Sequence, residues 1–142
     1  MKIQTTKDIK STLYQQILDL RKEVFIKEQH VPANLEFEDE QGPIYYGGLI
    51  NNNLVCCARV KEEYDKTWHI QRVATKASFR GQGLNSQLIK RIENDAQSEG
   101  ISTLILGAQD QAQGFYLKLG FKVVGDTFID ADISHHMMQK EI

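Results

Sequence analysis

Residues Arg80-Gly81-Gln82-Gly83 are the part of this chain best suited to chemistry. They follow the strand-like stretch Ile70–Thr75 and open an amphipathic run. Glycines remove the side chains that would block close approach to the backbone. A helix start leaves N–H groups without partners, and its dipole favours negative charge. Strand, glycine loop and helix N-terminus together make an anion cradle suited to a diphosphate. A Gly-x-Gly is also an ordinary turn, so the surrounding pattern decides its meaning. Other reactive groups lie far away in sequence: Glu28, Asp130 and the pair His135-His136. An imidazole titrates near neutrality and can take an ammonium proton directly or through water. Each has a plainer reading, Glu28 as an exposed helix-end carboxylate, and the two histidines as one packed and one exposed strand residue.

The elements that must position these groups follow from periodicity. Leu84, Leu88, Ile92 and Ala96, with Ile89 beside them, predict a helix from about Leu84 to Glu99, stopped by Gly100. Ser102–Leu106 reads as a short buried strand, and Gly107–Gly120 as a helix entering a further strand. Upstream, Ile3–Thr6 is a candidate strand and Ser11–Lys27 a helix with Leu13, Ile17, Leu20 and Val24 on one face. His30–Gly42 is a loop or short helical turn carrying the acidic run Glu36, Glu38, Asp39 and Glu40. That run is a solvated loop or, in the sharper reading, an acidic rim that attracts a cationic amine. Ile44–Ile50, Leu54–Glu62 and Thr67–Thr75 are successive strands, with Asn51-Asn52-Asn53 as a hairpin turn. Lys122–Ile129 and Ile133–Lys140 close the chain as strands. Trp68 and Phe79 read as core. The order suits an α+β fold, a mixed sheet with helices on both faces.

The chain resembles the GNAT N-acetyltransferase superfamily in four places. Arg80-Gly81-Gln82-Gly83 is similar to its acyl-CoA loop, Arg/Gln-x-x-Gly-x-Gly/Ala. Phe115-Tyr116-Leu117-Lys118-Leu119-Gly120-Phe121 matches its Phe-Tyr-x-x-x-Gly-Phe segment. Val24–Pro32 resembles the Val-Phe-x-x-Glu-Gln-x-Val-Pro signature of a small bacterial subgroup, and Asp130–His135 its Glu-Ala-Gly-Ile-Pro-His signature. The likeness spans about residues 10–140. Asn85 stands where the family prefers Gly or Ala, and Gly107 where Asn is common in Asn-Ala-Gln; Asp130, Asp132 and Ser134 replace Glu, Gly and Pro.

The resemblance implies a GNAT-like fold over 1–142, with Thr67–Thr75 and Ser102–Leu106 splayed around acetyl-CoA as co-substrate. It implies that the backbone after Arg72 aligns the pantetheine arm and that an N–H near Val73 or Ala74 polarises the thioester carbonyl. Arg80, Gly81, Gln82, Gly83, Leu84 and Asn85 would hold the pyrophosphate, mainly by backbone N–H, and Gln109 also belongs to the cofactor site. Tyr116 would protonate the departing thiolate, against the plainer reading of a packed core tyrosine. His135, Glu28 and Asp130 are the remaining catalytic candidates.

Composition bounds the alternatives. The 142 residues, 41% hydrophobic and 25% charged, suit one core, and the net charge of −2 argues against nonspecific nucleic-acid binding. No apolar stretch spans a bilayer and no signal-peptide pattern is present, so a cytoplasmic protein without a membrane partner is expected. The adjacent Cys56-Cys57 point to opposite strand faces, read as small buried hydrophobes, and fit no metal spacing. The chain lacks the motifs for ATP or dinucleotide use. An N-acetyltransferase acting on a small-molecule or peptide amine is the expected function, with a non-catalytic acyl-CoA sensor as the alternative. Edge-strand pairing into a homodimer stays open.

Overall fold

The computed structural model describes residues 1–142. Seven strands, β1 (Lys2–Thr6), β2 (Ile44–Ile50), β3 (Asn53–Glu62), β4 (Thr67–Thr75), β5 (Thr103–Gln109), β6 (Lys122–Asp130) and β7 (Ile133–Glu141), form one sheet in the order β1-β2-β3-β4-β5-β7-β6. Only β4 and β5 run parallel. Four α-helices accompany them: α1 (Thr12–Arg21), α2 (Ala33–Glu36), α3 (Leu84–Ser98) and α4 (Gln113–Lys118). Asn51 and Asn52 carry the β2–β3 hairpin at φ 51° and 65°. Ala131 and Asp132, at φ 50° and 62°, turn β6 into β7 in the same way.

The sheet is covered on both faces. Leu84, Leu88, Ile89, Ile92 and Ala96 of α3 pack on Val55, Val60, Trp68, Ile70, Leu104 and Leu106. Leu13, Tyr14, Ile17 and Leu20 of α1, together with Val24, pack on Tyr45, Leu49, Cys57 and Ala74 on the opposite face. Each fully buried Leu or Ile contributes about 2 kcal/mol by burial. Cys56 belongs to the first cluster and Cys57 to the second, as strand alternation requires. Burial pushes the two thiols up to about 11 and about 12. Phe79 packs against the α3 side only in part.

Two elements differ from the sequence reading. The helix expected over Ser11–Lys27 is α-helical to Arg21 and then widens into a π-helix over Lys22–Glu28. The Gln29 N–H reaches back five residues to the Val24 carbonyl, which keeps Val24 in the core while Phe25 and Gln29 face a cavity. The helix expected over Gly107–Gly120 shrinks to α4. Gly107, Ala108 and Gln109 instead extend β5, pairing with Met137, His136 and His135. Phe128 packs over Gly107, where a Cβ would come within 3.2 Å of its ring. The glycine that looked like a helix start is a flat strand position under an aromatic ring.

Candidate active site

A gap between two parallel strands organises the site. β4 and β5 pair only from Thr67↔Thr103 to Ile70↔Leu106. Beyond that point β4 follows β3 as far as Thr75, and β5 follows β7 as far as Gln109. Between the pairs Cys57↔Ala74 and Arg59↔Gln71, β4 carries one residue more than β3, so it bulges. Arg72 absorbs the extra residue at φ 56°, a strained conformation for a side chain of its size. Its guanidinium donates to the Glu36 and Leu35 carbonyls at 3.2 and 3.1 Å, and the Cys57 thiol donates to its carbonyl at 3.7 Å. The edge of β4 past Ile70 is left without a β5 partner, with Val73 facing the gap.

The cradle lies just beyond that edge. Gly81 and Gly83 sit at φ 77° and 75°, where other residues are strained. None of the six N–H groups from Gly81 to Ser86 donates to another protein group. A Cβ on either glycine would meet nothing within 4 Å, so the space before these donors is open. The arrangement suits a diphosphate. Asn85 turns its Oδ1 inward, buried and without a donor.

Arg80 and Glu28 meet each other. Both guanidinium Nη atoms donate to the Glu28 carboxylate, at 2.7 and 2.8 Å, and Nε donates to the Thr75 carbonyl. The bond from Arg80 holds the Glu28 carboxyl below its ordinary pKa. Glu28 therefore braces the end of the π-helix against the cradle loop and does not line the cavity at the strand gap.

That cavity, about 480 Å³, gathers most of the other candidates: Val73, Arg72, Gln109, Tyr116, Asp130 and His135. Tyr116 is buried, edge-on to Phe115 and Phe121, and burial alone raises its pKa, so its hydroxyl stays protonated at neutral pH. His135 is 9% exposed and stacked on Phe128 at 5.4 Å. Its Nδ1 lies 2.7 Å from the Ile133 carbonyl, which can only accept. Nδ1 therefore carries a proton, and in the neutral ring the lone pair lies on Nε2. Gln109 donates to Gln29 at 2.9 Å, linking the end of β5 to the π-helix. Asp130 is exposed at the cavity's edge. His136 turns to the other side of the sheet, hydrogen-bonded to Asp110 and Thr127.

Sequence reasoning missed His69, Gln71 and Arg59 in the cavity wall. Their alternation along β3 and β4 was the available signal. Burial pushes the His69 imidazole below its ordinary pKa, against the pull of Glu63. The acidic run also divides. Glu36 and Glu40 turn inward onto buried arginines, correcting the reading of a wholly solvated run. Arg21, fully buried, donates to Glu36 at 2.7 Å and to Glu40 at 2.6 Å, and Arg59 reaches Glu40 at 2.5 Å. Burial pushes the Glu36 carboxyl up despite Arg21 and Arg72. Burial also acts on Glu40, but Arg21, Tyr14 and Arg59 draw it below the usual carboxylate range. Glu38 and Asp39 alone remain exposed at the cavity mouth.

Known proteins share this arrangement. The family described as acetyltransferase (GNAT) domain matches residues 8–142. The uncharacterized N-acetyltransferase YjcF of Bacillus subtilis is 34% identical over 126 residues, 86% of this chain and 88% of its own length. The crystal structure of an acyl-CoA N-acyltransferase from Pseudomonas aeruginosa superposes with a TM-score of 0.86 at 26% identity, covering 98% of each chain. Escherichia coli ElaA gives a TM-score of 0.86 at 27% identity over 99% of this chain and 100% of its own. From the first helix to the last strand, this chain belongs to the GNAT family of acetyltransferases.

Proposed function

We propose that the chain moves the acetyl group of acetyl-CoA to a primary amine by direct attack, with both substrates bound together. The observation that carries this reading is the gap between β4 and β5, which ends at six backbone donors without protein partners. A pyrophosphate on the loop from Arg80 to Asn85 would leave the pantetheine arm running along the free edge of β4. Acetyl-CoA supplies a thioester, whose carbonyl needs a hydrogen-bond donor as negative charge develops. Of the N–H groups just past the Arg72 bulge, that of Val73 is suited to that role, since Val73 lines the gap whereas the Ala74 N–H is turned to the Cys57 thiol. Tyr116, protonated and walled by aromatic rings, gives its proton to the departing thiolate. His135 takes the proton of the attacking amine at Nε2. His69, kept neutral by burial, is the second base candidate.

The test is thiol release from acetyl-CoA across a panel of amines, with wild type beside Tyr116→Phe. Loss of the hydroxyl should lower kcat about 100-fold and leave the KM for acetyl-CoA within about twofold. Unchanged turnover in the variant would remove Tyr116 from the mechanism. Replacing His135 and His69 separately by Gln then assigns the base, because only the true base variant loses the acidic limb of the pH profile of kcat/KM.

A further inference from the structure

We infer that the amine acceptor is a dication, a linear molecule whose second ammonium rests on Glu38 and Asp39 while its first reacts beside His135. This rests on the acetyl-transfer reading above and adds the chemistry of the acceptor. The cavity wall holds two guanidinium groups, and the protein has already occupied both. Arg59 donates to Glu40 at 2.5 Å, to the Glu38 carbonyl at 2.9 Å and to Gln71 at 2.9 Å. Arg72 donates to the Leu35 and Glu36 carbonyls and sits 3.3 Å from the Glu36 carboxylate. Neither offers a free cation to a substrate carboxylate.

The carboxylates are arranged the opposite way. Glu36 and Glu40 are spent on arginines, whereas Glu38, Asp39 and Asp130 border the same cavity, exposed and in no ion pair. The segment bearing Glu38 and Asp39 is held in place. Arg59 grips the Glu38 carbonyl, Arg21 grips the Glu36 carbonyl at 2.7 Å, and Asp39 sits at φ 51°. The carboxylates are therefore presented without the entropy cost of ordering a free loop. The second mark of a ligand site is His135: nine-tenths buried, Nδ1 committed to Ile133, Nε2 without a partner in the cavity. The reacting nitrogen must be neutral beside that imidazole. It cannot satisfy the mouth carboxylates at the same time, so a second, charged nitrogen completes the site.

The experiment offers acetyl-CoA and a ladder of linear terminal diamines, each paired with the monoamine and the terminal amino acid of the same length. One diamine length should exceed its matched monoamine about tenfold or more in kcat/KM, and that ratio should shrink as ionic strength rises past about 0.1 M. The double variant Glu38→Gln, Asp39→Asn should lower kcat/KM about tenfold more for the diamine than for the monoamine. Equal rates for monoamine and diamine, or preference for the amino acid, would overturn the inference. Calorimetric titration of the same compounds in the presence of coenzyme A separates it from the catalytic reading. A diamine that binds no tighter than its monoamine sinks the dication whatever the turnover. A diamine bound selectively but never acetylated upholds the dication and sinks acetyl transfer to it.

Discussion

Gly83 joins backbone freedom to function at a single residue. Its φ of 75° is αL, and a Cβ there would meet nothing within 4 Å. Gly83→Ala should cost about 1 kcal/mol in stability, the usual penalty for an L-residue in that conformation. It should also weaken acetyl-CoA binding about tenfold or more, since the methyl group intrudes on the open space at the cradle loop. Gly100→Ala is the matched control: φ is 77°, the space is equally open, and the site is the far end of α3. Calorimetry on both variants reads the difference, and equal losses of affinity would refer the effect to folding alone. This glycine was legible in the sequence because the loop's chemistry is local and its spacing repeats a known pattern. Arg21 and Arg59 were not legible. Nothing near an arginine in sequence announces that a carboxylate 15 or 19 residues away will bury it.

Element boundaries failed where two patterns fit the same residues. Leu13, Ile17, Leu20 and Val24 are equally periodic whether the helix ends in an α- or a π-turn, so only tertiary contacts reveal the widening. Those contacts decide what Glu28 does. A Glu28 acting as base would have to stand at the amine, but the π-turn delivers it to Arg80. The pair is exposed, so its net contribution to stability is about 0.5 kcal/mol or less. Its consequence is for binding, because an Arg80 held by Glu28 is less available to a phosphate. Glu28→Gln should keep kcat within about threefold, where loss of a general base would cost about 100-fold or more. The same variant should lower the KM for acetyl-CoA, as Arg80 is released toward the cradle. Steady-state kinetics with acetyl-CoA varied at saturating amine checks both, and a collapse of kcat would return Glu28 to the list of bases.

At the scale of the molecule, one ionic network ties the α1 side to the sheet. Arg21 of α1, Glu36 of α2, Glu40 of the following loop, Arg59 of β3 and Arg72 of β4 form a continuous set of bonds, and Glu36, Arg59 and Arg72 stand in the cavity wall. Removing one partner strands a buried charge, which costs about 3 kcal/mol or more. The network also sets an acid limit. Glu40 has its pKa depressed in the folded state, so the unfolded chain binds that proton more readily. Its contribution is therefore complete above the ordinary carboxylate pKa, about 4.3, and is lost as pH falls from there through the depressed value. Glu36 carries the opposite sign, since burial raises its pKa, and its contribution is lost as pH rises through that raised value. Comparing wild type with Glu40→Gln isolates the first effect. In urea unfolding near neutral pH the variant should be about 3 kcal/mol less stable, because Arg21 and Arg59 each lose a carboxylate. As pH falls below the ordinary carboxylate pKa, about 4.3, the gap should narrow. The two proteins should converge only once pH has dropped below the depressed value, where the wild-type carboxyl is protonated as well. Stability curves that stay parallel down to acid pH would mean that Glu40 does not titrate with unfolding. In that case the arginines would be held by their carbonyl partners rather than by charge.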